Sequence, residues 1–279
     1  MEEVIYVPTI ITKITVQQKQ KDRYNIFVDN GDGEKYGFSV DEDVLIKYQL
    51  KKGQNLDDFA VSEIFYQDDI RKAYSQAVQY LAARMRSELE VRQHLQKKEL
   101  DENIINEVIH KLYQYQFLND HEFAVAFVRT QMNTTDKGTI VIGQELKEKG
   151  IKDEILETSL LEYPYERQFE QCFNLSKKFV EKNKKESAKF LKQKLEQMLI
   201  RKGYPFDIIQ ETIRDIDFDK GEDMEMEALR KQGDKLLGKY SRYSGYEFTQ
   251  KMKQALYRKG FPMDLIDQYL AENQGNDES

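Results

Sequence analysis

The residues that most often perform acid–base chemistry or bind metal ions are few in this chain of 279 residues. His94, His110 and His121 are its only histidines, and each falls in a different predicted helix, without the spacing of a metal site. Cys172 is the only cysteine and has apolar neighbours at helical spacing, as a small core residue would. We therefore expect the histidines to be surface or packing residues, and we predict no metal site, no disulfide and no cysteine nucleophile.

One glycine-containing segment resembles a phosphate-binding loop, but it departs from that motif at the residue that binds magnesium. Gly233, Gly238 and Lys239 have the spacing that the motif requires. Tyr240 stands where Ser or Thr must coordinate Mg²⁺, and no predicted strand precedes the segment. Carboxylates occur throughout the chain, so pairs of them identify no catalytic site. We expect no catalytic residue, no bound cofactor and no enzymatic activity.

The strongest chemical signal is a concentration of positive charge between residues 177 and 202. This stretch contains ten Lys or Arg and three Glu, although the whole chain has a net charge of −7. Such a surface attracts phosphates or an acidic protein groove, and the binding weakens as the salt concentration rises. A solvated helical face has the same composition, so both interpretations stay open. Aromatic residues that could stack on bases are sparse within the stretch, which argues against sequence-specific base recognition.

A segment of 22 residues recurs four times and predicts the elements that position these charges. The copies begin at Val91, Ile142, Leu195 and Met252. Each has Gln at the third place, Leu at the fifth and Lys at the eighth, and an aliphatic pair follows later. The ninth place is Gly in the last three copies and Glu99 in the first. A period of about 50 residues is typical of stacked helical arrays, which usually act as extended binding surfaces.

Each copy predicts two helices joined by a tight turn. Glycine at the ninth place suits the left-handed backbone that ends a helix. Pro205 and Pro262 follow two residues later in the last two copies, where proline suits the start of a new helix. A third amphipathic stretch precedes each copy, so each unit of roughly 50 residues is predicted to be a three-helix bundle. These first helices are predicted at residues 68–83, 120–132, 166–182 and 222–241.

Residues with short polar side chains predict where several of these helices begin. Ser87 with Glu90 three residues later predicts a capping box, in which side chain and backbone satisfy each other's donors. N-caps are also predicted for three further helices, at Asn119 or Asp120, Ser187 and Ser244.

The first 66 residues follow a different pattern and predict a small sheet. Strands are predicted at residues 10–16, 24–28 and 35–40, joined as a three-stranded antiparallel meander. Alternation in the first strand places Ile10, Thr12, Ile14 and Val16 on one face. Short helices are predicted at residues 43–48 and 55–66, and a helix is expected to cover one face of the sheet.

These elements predict a mainly α fold: tandem three-helix-bundle repeats in an elongated curved array, with a small N-terminal antiparallel β-meander. Five domains are predicted, at residues 1–66 (β-rich), 67–117 (repeat 1), 118–165 (repeat 2), 166–218 (repeat 3, basic) and 219–279 (repeat 4 with a frayed tail). No apolar run approaches the ~18 residues that span a membrane, and the N-terminus has no signal-peptide pattern. We expect a cytoplasmic monomer without a membrane partner.

Three blocks of sequence resemble the RecX family, the regulatory proteins of the RecA recombinase. The blocks are LAARMRSELEVRQHL at 81–95, FLNDHEFAVAFVR at 117–129, and Lys137-Gly138 followed by IGQELKEKGI at 142–151. The resemblance covers roughly residues 68–163, and the remainder is similar to the longer RecX proteins of Gram-positive bacteria. The order of the three blocks is more specific than any one of them.

The resemblance implies a regulator of homologous recombination and of the DNA-damage response. Proteins of this family bind along the groove of the RecA–single-stranded-DNA filament, inhibit its ATP hydrolysis and strand exchange, and promote its disassembly. The partners implied are therefore the RecA filament and single-stranded DNA within it, with DNA alone as a further possibility. Residues 131–136 are neutral to acidic here, whereas short RecX proteins carry basic runs at this place, so residues 177–202 are expected to take that role.

Ten basic residues are the candidates for contact with the filament or its DNA. They are Arg84, Arg86, Arg129, Lys147, Lys149, Lys182, Lys184, Lys185, Lys189 and Lys192. The alternative for Arg84 and Arg86 is compensation of a helix C-terminus, where cations are favoured.

Two other classes of function remain open. One is a stand-alone helical nucleic-acid-binding module, since three-helix units resemble helix-turn-helix domains. The other is a helical-repeat scaffold for a different protein. Affinity for bare single-stranded DNA tests the first, and independence from a recombinase tests the second.

Overall fold

The structure, a computed structural model, describes residues 9–218 and 221–274, in which four strands and thirteen helices occur. Two compact units divide these residues. The first consists of the residues up to Phe123 together with Lys149–Ile151, and the second consists of Ala124–Glu148 and the residues from Lys152 onward. The frayed tail was predicted largely on residues 275–279, which lie outside the described part. The predicted domain boundaries stay predictions.

The first unit begins with an antiparallel sheet. Its strands are β1 Thr9–Val16, β2 Arg23–Asp29, β3 Lys35–Asp41 and the short β4 Asn55–Leu56. The strand order is β3-β2-β1-β4, so the predicted meander is confirmed and a fourth strand extends it beside β1. Helix α1 (Glu42–Lys47) follows β3, and the Asp41 side chain caps it by accepting from the N–H of Asp43.

A bulge in β1 changes which residues face the core. The register with β2 shifts between Ile11 and Lys13, so strict alternation does not hold along the strand. Ile11 is therefore buried at 1% exposure, whereas Ile10 is 41% exposed. The predicted common face of Ile10, Thr12, Ile14 and Val16 is wrong for this reason.

Helix α2 (Asp58–Ala82) serves both the sheet and repeat 1. Ile64 belongs to the apolar core under the sheet, while Ile70, Ala73 and Ala77 belong to the core of the three-helix bundle. The sequence predicted two helices here, at 55–66 and 68–83. The structure corrects this to one continuous helix, with residues 55–56 in β4 and the predicted boundary at residue 66 inside α2.

Repeat 1 is completed by α3 (Glu88–Gln96) and α4 (Glu102–Gln114). Val91, Leu95 and Ile105 are fully buried between the three helices. The capping box at Ser87 and Glu90 is present as predicted. The next helix, α5 (Asp120–Thr134), is capped by Asn119, whose side chain accepts from the N–H groups of His121 and Glu122.

As far as the structure describes it, the second unit contains α5 from Ala124 onward and eight further helices, so that three helices again form each repeat. The eight helices are α6 Thr139–Glu148, α7 Asp153–Leu160, α8 Tyr165–Lys182, α9 Ala188–Lys202, α10 Phe206–Asp215, α11 Gly221–Tyr240, α12 Gly245–Arg258 and α13 Met263–Gln274. The mainly α fold of tandem three-helix repeats behind a small antiparallel sheet is confirmed.

The core of repeat 3 contains the single cysteine. Cys172 is completely buried and packs in one cluster with Leu195, Leu199 and Ile209. Burial raises the pKa of its thiol above the ordinary value. Cys172 is a small core residue, as predicted.

The turns that end the middle helices have the left-handed backbone that the sequence predicts, whereas the start of α12 lacks a predicted hydrogen bond. Gly150, Gly203 and Gly260 have φ angles of 79°, 81° and 84°. Glu99, at the same place in the first copy, also has a left-handed φ of 59°. Ser244 occupies the N-cap position of α12 as predicted, but its side chain makes no cap hydrogen bond.

The segment with phosphate-loop spacing is helical. Gly233 and Gly238 both lie within α11, and a Cβ at Gly233 would lie 2.4 Å from the Tyr269 ring. Gly233 is therefore small because the tyrosine ring packs against the helix backbone. In the described part of the chain, no helix has the length and apolar character needed to cross a membrane.

Candidate functional site

Each Lys–Gly turn of the repeat packs against the start of an earlier helix, a contact we call a joint. At Gly203, the N–H of Gly138 donates to the carbonyl of Lys202 at 2.8 Å, and the N–H of Ile140 donates to the carbonyl of Gly203 at 3.0 Å. At Gly260, the Ser187 hydroxyl donates to the carbonyl of Lys259. The turn backbone thus joins each of these repeats to the one before it.

The glycines are needed for contact as well as for conformation. A Cβ at Gly150 would lie 2.8 Å from the Leu89 Cβ, a contact within the first unit. In the second unit, a Cβ at Gly203 would lie 2.6 Å from Val141, and one at Gly260 would lie 2.7 Å from the Ser187 hydroxyl. Real Cβ atoms do not approach so closely, so a larger residue would force the joint apart.

The lysine at the eighth place has a partner in each joint. The ammonium of Lys149 lies 3.6 Å from Glu90, and that of Lys202 lies 3.7 Å from Asp136. The ammonium of Lys259 donates to the side-chain oxygen of Gln232 at 3.0 Å.

A polar side chain from the first helix of the later repeat completes each joint. Asp120 accepts from the N–H of Glu88 at 2.8 Å. Gln168 accepts from the Thr139 hydroxyl at 3.0 Å. Glu225 accepts from the N–H of Ala188 at 3.1 Å. Asp120 and Glu225 thereby satisfy backbone N–H groups that a helix start leaves without an intrahelical partner.

The joints explain why the first copy of the repeat differs from the others at its ninth place. Glu99 replaces glycine only in this copy, and both Lys98 and Glu99 are exposed. Among the described residues no three-helix repeat precedes this turn, and the exposed Glu99 side chain fits without a close contact of the kind that Gly150, Gly203 and Gly260 make. The restriction of glycine to copies 2–4 was therefore the signal in the sequence that could have predicted the joints.

The arginines of the first motif are engaged within repeat 1. Arg84 pairs with Glu90 at 2.8 Å. Arg86 donates to the carbonyl of Tyr80 at 3.0 Å, and its guanidinium carbon lies 3.6 Å from the centre of the Tyr80 ring. The other face of that ring stacks on His94, with 3.9 Å between ring centres. Arg86 therefore has a packing role.

The charges around this stack shift two pKa values. Burial, followed by the positive charges of Lys98 and Arg86, lowers the pKa of His94. Burial alone would raise the pKa of Glu90, but Arg84, the Ser87 N–H and Lys149 outweigh it and lower that pKa. The neutral imidazole and the charged carboxylate are thus both favoured near pH 7.

The other motif-derived candidates also have carboxylate partners. In the second unit, Arg129 lies 2.7 Å from Glu162 and Lys147 lies 2.8 Å from Asp153. The side chains of Arg129 and Lys147 are 60% and 58% exposed. Exposed pairs contribute little stability, roughly 0–1 kcal/mol, so an external anion can replace the carboxylate at small cost.

Four of the five candidates in repeat 3 differ from these residues because they are less neutralised. The predicted residues Lys182, Lys184, Lys185, Lys189 and Lys192 are all exposed. Among the described residues, no salt bridge joins Lys182, Lys185, Lys189 or Lys192 to a carboxylate, whereas neighbouring Lys194 pairs with Glu186 at 2.7 Å. This part of α8 and α9 is the candidate anion-binding surface.

A shallow groove runs along α8 beside these lysines. Arg167, Asn174, Lys178 and Lys182 recur on one face of the helix and line it, together with six other residues. Its volume is about 510 Å³. Arg167 pairs with Glu170 at 2.6 Å, so the less neutralised positive charge lies toward the C-terminal end of α8. The groove suits a charged chain laid along the surface.

Sequence profiles of one family match most of the chain. The profile described as the regulatory protein RecX N-terminal domain matches residues 9–57. The first and second three-helix domains of RecX match residues 73–112 and 119–160. The third three-helix domain matches twice, at residues 166–213 and 222–270.

Two proteins that are similar over almost the whole chain are regulatory RecX proteins. The regulatory protein RecX of Bacillus cytotoxicus is 46% identical over 261 residues, which are 94% of this chain and 97% of that protein. The regulatory protein RecX of Bacillus velezensis is 46% identical over 265 residues, 95% of this chain and 99% of that protein.

Solved structures agree in fold. A crystal structure of regulatory protein RecX superimposes with a TM-score of 0.68 at 34% identity, covering 75% of this chain and all of that one. RecX from Lactobacillus salivarius superimposes with a TM-score of 0.53 at 37% identity, covering 55% of this chain and 99% of that one.

Proposed function

The chain belongs to the RecX family of regulatory proteins, and from this premise we propose that it binds the RecA–single-stranded-DNA filament and inhibits its ATP hydrolysis and strand exchange. The observation that carries the proposal is the exposed, weakly neutralised lysine surface of α8 and α9 on a chain with net charge −7. A filament offers both phosphates and acidic protein surface to such lysines.

The ten candidate residues would act in three ways. Lys182, Lys184, Lys185, Lys189 and Lys192 would bind phosphates or acidic recombinase segments directly. Arg84, Arg129, Lys147 and Lys149 would first exchange an internal carboxylate for the filament. Arg86 would act by holding Tyr80 against His94 of α3.

In the proposed mechanism, the protein is a cytoplasmic monomer that binds the filament and catalyses no reaction itself. The protein would bind one state of the filament more tightly than the others, and a ligand shifts an equilibrium by that difference in affinity. The favoured state would be one that cannot turn over ATP or one that cannot grow.

The test is single-stranded-DNA-dependent ATP hydrolysis by the RecA recombinase, titrated with this protein at two salt concentrations. We expect inhibition at substoichiometric amounts and weaker inhibition at higher salt. The combined variant Lys182→Glu, Lys185→Glu and Lys189→Glu should raise the half-inhibitory concentration on the order of tenfold at low salt.

A matched control variant makes the same change in net charge at lysines outside the lysine surface of α8 and α9. Lys52→Glu, Lys97→Glu and Lys98→Glu alter three exposed lysines of the first unit and should inhibit as the unaltered protein does. Equal inhibition by both triple variants would exclude the lysine surface. No inhibition by the unaltered protein would contradict the function itself and favour a scaffold for another protein or a stand-alone nucleic-acid module.

A further inference from the structure

A second basic surface lies in repeat 4 and, unlike the first, contains exposed tyrosine. It consists of residues at the end of α11 and the start of α12, which we call the aromatic–basic patch: Lys239, Tyr240, Arg242, Tyr243, Tyr246 and Lys251. Between residues 235 and 253 the chain has five Lys or Arg and a single acidic residue, Glu247. The local charge is therefore opposite to that of the whole chain.

The rings and cations of the patch lie close together. Tyr240 and Tyr243 have ring centres 6.3 Å apart. The Lys251 ammonium lies 4.4 Å from the centre of the Tyr243 ring, and the Arg242 guanidinium carbon lies 4.8 Å from it. Tyr246 is 80% exposed, although it occupies the first turn of α12. Most of this ring is therefore available to a ligand in solution.

Comparison of repeats 3 and 4 shows that the charge of the patch recurs. The copies of the repeat begin at Leu195 and Met252, and this offset pairs Lys182 with Lys239, Lys185 with Arg242 and Lys194 with Lys251. The same offset places Tyr240, Tyr243 and Tyr246 opposite Asn183, Glu186 and Lys189. The two repeats thus share three cations at equivalent positions, and repeat 4 adds three aromatic rings among them.

The equivalent surface of repeat 3 is partly covered by a joint, whereas that of repeat 4 is open. In repeat 3, the carbonyl of Lys185 accepts from the Gln232 side chain at 3.1 Å, and the turn at Gly260 approaches the Lys189 Cβ. In repeat 4, no helix follows α13 among the described residues. A Cβ added at Gly245 would meet nothing within 4 Å.

We propose that the aromatic–basic patch binds single-stranded DNA. Bases would stack on Tyr246 and Tyr243, while Lys239, Arg242 and Lys251 would contact the phosphates. Unpaired bases expose their faces to such rings, whereas the bases of a duplex are already stacked on one another. The patch therefore favours single strands over duplexes without recognising their sequence. The lysine surface of repeat 3 lacks exposed tyrosine rings, so it does not share this preference.

This inference rests on the proposed function only in the choice of single-stranded DNA as the ligand, because a recombinase filament is built on a single strand. Binding of all 279 residues is measured without recombinase, by fluorescence anisotropy of a labelled 20-nucleotide oligo(dT) and of a 20-base-pair duplex at low salt. We expect the oligo(dT) to bind more tightly than the duplex.

Substitutions of Tyr246 separate stacking from charge. Tyr246→Ala should weaken oligo(dT) binding roughly tenfold and duplex binding less than about twofold, and Tyr246→Phe should retain both affinities. Tyr246→Lys, which introduces the residue type of repeat 3, should abolish the preference for the single strand because it adds charge and removes the ring. Tyr257→Ala is the control, since Tyr257 is 57% exposed on the same helix but outside the patch.

The outcomes also separate this inference from the proposed function. No detectable oligo(dT) binding, or equal binding by the unaltered protein and Tyr246→Ala, would overturn the patch whatever the ATPase assay shows. Loss of the single-strand preference in Tyr246→Ala supports the patch, even where the unaltered protein fails to inhibit the recombinase.

Discussion

Gly203 shows how one residue can end a helix and join two repeats. Its φ of 81° is a conformation that L-residues with a Cβ adopt at a cost. Its carbonyl accepts from the N–H of Ile140 at 3.0 Å, and its Cα faces Val141 closely enough to exclude a Cβ. The backbone conformation and the close contact are separate requirements, so their contributions can be measured separately.

We expect Gly203→Ala to destabilise the second unit by more than its backbone conformation explains. Gly245→Ala is the matched control, because Gly245 has a positive φ of 58° in the same unit and open space around it. The control should cost about 1 kcal/mol, and Gly203→Ala should cost about 1–3 kcal/mol more because Val141 must move. Urea unfolding followed by circular dichroism measures both. Equal costs would show that the joint tolerates a methyl group.

The motif arginines could be found from the sequence, but their partners could not. Arg84 and Glu90 are six residues apart, across the turn between α2 and α3, and Arg129 and Glu162 are 33 apart. Such pairs depend on how helices pack, which local periodicity does not determine. Cys172 was easier to place, because three-helix packing buries whatever lies on the apolar stripe of α8.

At the scale of elements, α2 is the helix that local sequence signals describe least well. Asp68 and Asp69 resemble a helix start, because aspartate is a common N-cap residue. In the structure Asp68 lies in mid-helix at 2% exposure and points at the sheet. Its carboxylate accepts from Arg23 at 2.9 Å and from the N–H of Asp41 at 2.8 Å, and it pairs with Lys72 at 3.0 Å. A tertiary ion pair thus accounts for a residue that local preference assigns to a helix end.

We expect Asp68→Asn to destabilise the first unit by about 3 kcal/mol at pH 7, because it leaves the largely buried Arg23 guanidinium without its counter-charge. Asp69→Asn is the control. The Asp69 carboxylate is half-exposed and pairs with the exposed Lys72, so its loss should cost less than about 1 kcal/mol. Chemical unfolding of both variants measures the difference.

The cost of Asp68→Asn should also depend on pH. Burial alone would raise the pKa of Asp68, but Arg23, the Asp41 N–H and Lys72 outweigh it and hold the pKa below its ordinary value of 3.8. A carboxyl whose pKa is lowered on folding stabilises the protein fully above the unfolded pKa, and this contribution is lost as the pH falls through the folded pKa. The gap between wild type and Asp68→Asn should therefore be constant above about pH 5 and shrink below 3.8. A gap that widens on acidification would contradict the ion pair.

The sequence predicted most elements of the fold because their signals are local. The helix-ending turn at the ninth place and the capping box at Ser87 can be recognised from neighbouring residues alone, and both are confirmed. The bulge in β1 depends on pairing with β2, and the missing side-chain hydrogen bond at Ser244 depends on how the chain enters α12. These features follow from three-dimensional contacts that periodicity does not contain.

At the scale of the whole molecule, charge is distributed so that repeats 3 and 4 carry basic surfaces on an acidic chain. The protein has 43 Lys or Arg against 50 Asp or Glu, yet Lys177–Lys202 alone has ten cations and three acids. Net negative charge disfavours nonspecific adsorption to nucleic acid, while local positive charge attracts phosphates at short range. Selective binding to a filament is consistent with this arrangement.

We expect this local charge to set the salt dependence of filament binding. Each single-strand phosphate neutralised contributes roughly 0.7 to the slope of log affinity against log salt concentration. The Lys182→Glu, Lys185→Glu and Lys189→Glu variant should therefore reduce the magnitude of the slope by about 2. The matched triple variant of Lys52, Lys97 and Lys98 should leave it unchanged. Filament co-sedimentation between about 50 and 200 mM salt measures the slopes, and equal slopes for all three proteins would show that these lysines meet no phosphate.

The joints have a direction, which bears on how such a chain can lengthen in evolution. The later repeat always contributes the glycine turn, and the earlier one contributes the helix start that receives it. A copy added after repeat 4 would bring its own glycine to the start of α12 and require no change in front of it. A copy inserted before repeat 1 would require Glu99 to be replaced. Duplication of the final unit is the least disruptive route to a longer chain, and the double match of the third-domain profile, at residues 166–213 and 222–270, is the pattern that such a duplication leaves.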